Sequence, residues 1–320
     1  MIYLDDNSVK ELLGGLPRKP VGWHSIIQRI EEAFIDPSAD MVPKVYLKAG
    51  NAGDYRAMPA ALGGYTALKW IGVFPNNPKG ENPMGKKLPT TIGTLILNDR
   101  FTGLPLLAMD CTTLTAYRTA ATSAIAAKYC APKAEEFAII GCGLQAKYHI
   151  EAYEAIFSHM KMCVELYDKN EKAQKDLFNW LGRENLCRAW GRNKSVKQAV
   201  QHADVITTLT PSTEGYLDIL DLKSNCHINA VGADAVGKRE LMPNVIDGAG
   251  FIVCDDEEQA RHSGELQYNV WPNLELYSLA HVIKKYTWAS QEVSVFDSTG
   301  VAIEDIAIGI LIYELYHQNK

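Results

Sequence analysis

Residues 137–146 read FAIIGCGLQA, and this stretch decides the fold. A short apolar β-type run ends in Gly141-Cys142-Gly143 and passes at once into a helix-compatible segment, the layout of a strand, tight turn and helix start that receives a dinucleotide pyrophosphate. Gly141 lets the chain turn, Gly143 lets backbone amides approach the phosphates, and the helix N-terminus supplies partial positive charge. Ala146 takes the third position, where a small residue allows close packing of helix on strand. Glycines also end strands for ordinary reasons, so the turn needs its context.

That context is a second apolar run, 162–167, ending in Asp168. A carboxylate at the tip of the second strand, about twenty residues past such a turn, accepts hydrogen bonds from both adenosine ribose hydroxyls and repels a 2′-phosphate. NAD is therefore expected over NADP. Lys169 and Lys172 keep NADP possible, because a loop that turned them inward would pair them with a phosphate. The bland alternative makes Asp168 a cap for a helix starting near Asn170.

With 320 residues the chain has material for two domains or one large one, and its net charge of −6 with dispersed basic residues does not suggest a nucleic-acid surface. No apolar run is long enough to span a bilayer, and the start MIYLDDNSVK lacks the layout of a signal peptide, so a cytoplasmic protein is expected. Seven cysteines without a Cys-x-x-Cys pair and eight scattered histidines predict neither a disulfide framework nor a metal site. Cys130, Cys163, Cys226 and Cys254 read as small core residues, whereas Cys142, inside the glycine turn, is in a place open to exposure.

Taken in order, residues 8–13 predict a short helix capped by Ser8, and 23–34 a longer amphipathic one stopped by Pro37. From 41 to 110 the runs VPKVYL, YRAMPA, YTALKWIGVF, TIGTLILND and LPLLAMD predict an antiparallel or mixed sheet. The proline- and lysine-rich stretch FPNNPKGENPMGKKLPT between them is expected to be a surface excursion. TLTAYRTAATSAIAAKY, 113–129, predicts an alanine-rich helix. Strands are then expected at 136–140, 162–167, 187–190, 204–208, 226–231, 250–254 and 292–297, mostly separated by helices, with Ser195 capping one. This alternation is that of a parallel sheet covered on both faces. A final helix from Val301, apolar around most of its circumference, is expected to lie between lobes or against another subunit. The expected fold is α/β: a Rossmann-type, doubly wound parallel sheet at 126–299, plus a discontinuous α+β domain formed by 1–125 with 300–320.

Four residues stand out as carriers of chemistry. Arg56 and Lys69 lie in neighbouring β-type runs, which a hairpin would bring to one surface, and Arg118 lies in the alanine-rich helix. On spacing alone each is an ordinary solvated charge. If the three converge, they hold a substrate carboxylate by charge-assisted hydrogen bonds. Asp234 follows HINAVGA at a carboxyl end of the predicted parallel sheet, where it suits a ligand site or a helix cap for 237–240 equally well.

The stretches DYRAMPA, ALKWIGVFPNNP, TGLPLLAMD, YRTAATSAIAAKY, IIGCGLQA, HINAVGADAVGKREL and FDSTGVAIED resemble the ornithine cyclodeaminase and mu-crystallin family, and within it the archaeal alanine dehydrogenase type. The resemblance runs from about residue 54 to residue 305. It implies a two-lobed homodimeric enzyme whose first domain binds substrate and forms the dimer. Arg56, Lys69 and Arg118 fall on the substrate-carboxylate positions, with Lys69 also the acid/base and Asp234 the catalytic aspartate. On the cofactor side it implies Gly141, Gly143, Leu144, Gln145 and Asp168 for the adenosine and pyrophosphate. Thr208, Val231 and Gly232 join them, with Ser298, Thr299 and Gly300 near the nicotinamide. Cyclodeaminases carry glutamate at position 56, so Arg56 argues against a diamine substrate. Val236 stands where the family usually has proline. The implied activity is NAD-dependent hydride transfer at the α-carbon of a small L-amino acid, with the pKa of Lys69 lowered by Arg56 and Arg118. The alternatives are an ornithine cyclodeaminase-type ammonia lyase, a ketimine or pyrroline-2-carboxylate reductase, and a non-catalytic mu-crystallin-like NAD(P)H-binding protein.

Overall fold

A computed structural model describes residues 1–14, 20–157, 162–268, 274–285 and 292–319. The chain divides into two compact units, Met1–Arg118 with Val301–Lys320, and Thr119–Gly300. The first boundary falls inside the alanine-rich helix α3 (Thr112–Cys130), directly after Arg118.

In the first unit α1 (Asp6–Gly14) and α2 (Pro20–Ile35) accompany strands β1 (Ile2–Leu4), β2 (Asp40–Met41), β3 (Val45–Lys48), β4 (Asp54–Leu62), β5 (Tyr65–Val73), β6 (Thr91–Asp99) and β7 (Pro105–Asp110). They form one mixed sheet in the order β1-β7-β6-β5-β4-β2, with β3 also on β4 and only β1–β7 parallel. The short edge strands β1 and β2 escape sequence patterning because three and two residues carry no period. Ser8 does not cap α1. Asp5 does, accepting from the Ser8 N–H at 2.8 Å, because the helix begins two residues earlier than the apolar pattern suggests.

The last helix, α10 (Ala302–Gln318), is buried from Ala302 to Ile312. Its partners lie in its own unit: it packs on α1, α2 and strands β4–β6. A sheet face and two helices of its own unit thus contribute to its burial from Ala302 to Ile312. The excursion at 74–90 is tied at its base by Asn77, whose Nδ2 donates to the Pro89 carbonyl at 3.1 Å while its own carbonyl accepts from Gly80 and Leu88.

The second unit holds β8 (Glu136–Ile140), β9 (Cys163–Tyr167), β10 (Ala189–Arg192), β11 (Val205–Thr208), β12 (His227–Ala230), β13 (Phe251–Cys254), β14 (Leu276–Ser278) and β15 (Ser294–Asp297). All pair in parallel, in the order β10-β9-β8-β11-β12-β15-β13-β14. The chain moves outward from β8 to β10 and then returns to β11 beside β8, so the strand order reverses between β8 and β11, the position where open parallel sheets bind ligands. Helices α4 (Leu144–Phe157), α5 (Glu171–Glu184), α6 (Val196–Val200), α7 (Pro243–Asp247), α8 (Glu257–Ser263) and α9 (Leu279–Lys285) lie between strands. Ser195 caps α6 as expected, accepting from the Gln198 N–H. β14 was not foreseen, and β10 lies two residues later than expected, both being short, incompletely buried edge strands.

The core of this unit includes a polar spine. Asn229 donates to the Ser123 carbonyl and to Tyr153 Oη, Tyr153 pairs with Thr207, and His149 reaches Ser123. Every member has a partner, as low-dielectric burial requires. Burial pulls the pKa of both His149 and His227 down to about 4, so both imidazoles are neutral.

Ile308 is fully buried in α10, so Ile308→Ala should lower the unfolding free energy by about 2–5 kcal/mol. Urea denaturation monitored by circular dichroism measures the loss; a shift under about 0.5 kcal/mol would contradict this packing.

Candidate functional site

Alternation along β4 and β5 places Arg56 and Lys69 on the inner face of the first sheet. Arg56 pairs in register with Ile71 and Met58 with Lys69, so the two cations are diagonal neighbours on one side of the hairpin. They are not solvated: Arg56 is 4% exposed, Lys69 1% and Arg118 7%. Burial on this scale requires counter-charges, and the chain supplies them. Lys69 Nζ lies 2.7 Å from the Asp305 carboxylate; Arg118 reaches Glu304 at 2.6 Å and Asp305 at 3.2 Å; Arg56 Nε donates to Asp54 at 2.8 Å. The Arg56 guanidinium also lies over the Tyr46 ring, 5.4 Å from its centre.

Glu304 and Asp305 are the residues that the sequence reading missed. They occupy the first turn of α10, where the helix dipole favours negative charge, and two adjacent acids in the otherwise apolar stretch 302–312 were the available signal. The pKa of Lys69 is lowered, but burial is the first cause. Arg118 adds to the shift, as expected, and Asp305 opposes it. The neighbouring Cys111 thiol is pushed up to about 12 by burial, so it stays protonated. The first cluster can hold an anion and exchange a proton at the Lys69 amine.

In the second unit, Gly141 has φ +101°, and a Cβ there would stand 3.0 Å from the Leu209 carbonyl. Glycine is needed at this turn because β8 and the end of β11 approach closely. Gly143 differs: a Cβ would meet nothing within 4 Å. The protein's own packing leaves open space before the N-terminus of α4, which fits a group whose phosphates approach the backbone. Ala146 is fully buried, Leu144 is exposed and Gln145 half-buried beside it. Cys142 is buried, not exposed, and its thiol pKa is raised to about 12 by burial.

Asp168 follows β9. Its carboxylate accepts from the Cys142 N–H and the Asn170 N–H, both at 2.7 Å, so it joins the strand tip to the glycine turn. The cap of α5 is Asn170. Lys172 points to Asp176 on the exposed face of α5, away from the phosphate role considered for it.

Thr208 is the last residue of β11, and Val231 and Gly232, and Ser298 to Gly300, follow the carboxyl ends of β12 and β15. The Thr299 and Gly300 N–H groups donate to Asp255 at 2.7 and 2.6 Å, and Gln259 Nε2 donates to Thr299 Oγ1. Asp234 lies on the irregular segment after β12 and pairs with Lys238 at 2.5 Å. No helix forms at 237–240, so Asp234 is not a cap. Buried Glu240, Asp255, Glu265 and Asp297 crowd the same ends of the sheet, and none was singled out from sequence. Among the described residues, no group of three or more His, Cys, Asp or Glu could hold a metal ion, and no helix is long and apolar enough to cross a membrane.

Burial, with Asp297 as the second cause, raises the Glu265 pKa to about 8, and burial raises that of Asp297 to about 7. The folded chain then keeps protons that the unfolded chain has released, so these two groups reduce stability as pH rises from about 4 to about 8. The buried histidines act in the opposite direction, but only below their ordinary value of 6.5. Glu265→Gln should therefore be relatively more stable, by a few degrees of Tm against the parent, at about pH 8.5 than at about pH 6.5. Thermal unfolding curves of parent and variant that stay parallel across that range would refute the assignment.

The model of the ornithine cyclodeaminase/mu-crystallin family matches residues 21–320. The chain is 39% identical to the alanine dehydrogenase of Archaeoglobus fulgidus over 299 residues, covering 89% of this chain and 88% of that protein. It is 34% identical to the ornithine cyclodeaminase of Brucella abortus, covering 84% and 73% respectively. The solved structure of an archaeal alanine dehydrogenase dimer with bound NAD superimposes with a TM-score of 0.88 at 36% identity, covering 100% of this chain and 97% of that one.

Proposed function

The chain belongs to the ornithine cyclodeaminase/mu-crystallin family, and on that premise we propose that it is an NAD-dependent oxidoreductase acting at the α-carbon of a small L-amino acid, in the manner of its alanine dehydrogenase relatives. The observation that carries this reading is the buried Lys69 with a lowered pKa, set among Arg118, Asp305 and, one register step away, Arg56. NAD supplies the hydride acceptor and donor. Arg56 and Arg118 hold the substrate carboxylate; a guanidinium fork serves more than one carboxylate, as Arg118 already does with Glu304 and Asp305. Lys69, whose pKa burial lowers, takes a proton from the substrate ammonium group so that the nitrogen lone pair can form an imine as hydride leaves the α-carbon for NAD. Asp234 accepts a proton from the water that adds to the imine; ammonia leaves and a 2-oxo acid remains.

Cofactor choice follows from Asp168, whose carboxylate disfavours a 2′-phosphate, and the bound NAD of the archaeal relative is consistent with it. Arg56 in place of the cyclodeaminase glutamate favours a monoamine substrate. The similarity to the Brucella abortus enzyme supports a second reading, in which a side-chain amine closes on the imine and the hydride returns, with no net redox change. The ratio of NADH formed to ammonia released over a panel of L-amino acids including alanine and ornithine separates the two. Equal amounts are expected; ammonia without NADH would establish the cyclodeaminase.

Lys69→Met should reduce turnover by about 10²–10⁴-fold while fluorescence titration shows NADH binding nearly unchanged. A variant with parental turnover would remove Lys69 from the chemistry.

The partner proposed is a second copy of the chain. On the outer face of the first sheet Leu68, Trp70, Ile92 and Ile96 are each about 40% exposed, flanked by exposed Val45 and Leu47, with Tyr55 stacked on Trp70 at 5.3 Å. A contiguous apolar sheet face of this kind marks an interaction surface. Trp70→Glu should convert the dimer to monomer in light scattering coupled to gel filtration; a dimer of parental stability would place the interface elsewhere.

A further inference from the structure

The segment after β12, from Gly232 to Leu241, has no strand neighbour for most of its length, so its backbone amides need other acceptors. One side chain closes it. Glu240, fully buried, accepts at Oε2 from the Gly232 N–H at 2.7 Å. At Oε1 it accepts from the Thr210 N–H at 2.7 Å, the Thr210 hydroxyl at 2.6 Å and the Tyr216 hydroxyl at 2.8 Å. It thereby joins the ends of the adjacent strands β11 and β12 and ties its own loop back to its start. Gly232 must be glycine for this reason: a Cβ there would overlap the Glu240 carboxyl and the Thr210 carbonyl oxygen.

The tie has two further links of the same form. Glu265 Oε1 accepts from the Glu240 and Leu241 N–H groups at 2.6 and 3.2 Å. Asp297, at the end of β15, accepts from the Glu265 and Leu266 N–H groups at 3.0 and 3.1 Å. Each carboxyl group thus holds the backbone of the segment that carries the next. Within the loop, Gln267 accepts from the Gly237 N–H and donates to the Lys238 carbonyl, and Lys238 pairs with Asp234.

We propose that Glu240 is a positioning residue that fixes Asp234 by closing the loop that carries it, with Glu265 and Asp297 anchoring that closure to β15. The inference rests on the role given to Asp234 above. Both oxygens of Glu240 receive donors, so the contact requires an acceptor on each. Glutamine keeps the volume but turns an amide N–H₂ toward an N–H, which opens the loop without leaving a cavity. A buried ionisable group is a poor source of stability compared with an apolar one of the same size; what it provides here is directional constraint on both strand ends, the kind of support that holds a reacting group in place.

The test uses the full chain as Glu240→Gln, Asp234→Asn, the double variant and the milder Tyr216→Phe, which keeps three of the four donors and so guards against misfolding. Glu240→Gln should lower kcat by about 100-fold with the NADH dissociation constant within about 3-fold. Hydrogen exchange of the peptide spanning 232–241 should rise by about 10-fold or more, with the strands of the sheet unchanged. Tyr216→Phe should shift both readouts in the same direction by less. The double variant should be no slower than Asp234→Asn alone, since Glu240 acts through Asp234. Unchanged exchange at 232–241, or losses that multiply in the double variant, would overturn the proposal. If the parent protein turns over no amino or imino acid, the functional reading falls alone, and the exchange measurement still decides whether Glu240 holds the loop.

Discussion

Where a parallel strand ends, its neighbours stop offering carbonyls and the emerging N–H groups must find other acceptors. In the second unit side-chain carboxyls meet that need at one strand end after another: Asp168 for Cys142, Glu240 for Gly232 and Thr210, and Asp255 for Thr299 and Gly300. Ligands of such sheets bind at these same ends. The loops expected to meet a cofactor are therefore held by carboxyl groups buried among them. Burial opposes ionisation, and it raises the pKa of Glu240, Glu265 and Asp297; amide donors oppose that shift at each.

The first unit solves the reverse problem. It buries cations on the inner face of a sheet, and α10 brings Glu304 and Asp305 to neutralise them. The acids sit in the first turn of a helix, so the charges they offset include the helix's own N-terminal dipole. Neutralising Lys69 and Arg118 within the fold keeps a strongly basic cluster away from water without unpaired charge. A group whose pKa is lowered mainly by burial depends on the sheet and helix staying closed over it, more than on any single neighbouring charge.

Much of the architecture was legible because it is periodic or punctuated. Alternation in YRAMPA and TIGTLILND marks two-sided strands, the apolar runs between helices mark the parallel sheet, and Gly141-Cys142-Gly143 marks the turn. What escaped lacks a period. The three residues of β1 and two of β2 pair only because β7 and β4 present free edges, and Asp5 displaced Ser8 as the cap through a shift of three residues. Cys142 is buried because the turn folds against Tyr167 and Asp168, which no local pattern records.

Local chemistry was thus enough for the alternation of the parallel sheet and for the glycine turn at Gly141, whereas Arg56, Lys69, Arg118 and Asp234 stood out only through the family resemblance, since their spacing alone reads as solvated charges or a helix cap. The partners of those residues were not readable. Lys69 meets Asp305, 236 residues away, and Arg118 meets Glu304, 186 residues away. Glu240 reaches Gly232 and Thr210, and Glu265 reaches Glu240. Such pairings arise when separate elements pack, and packing, not sequence spacing, sets which charge is buried beside which.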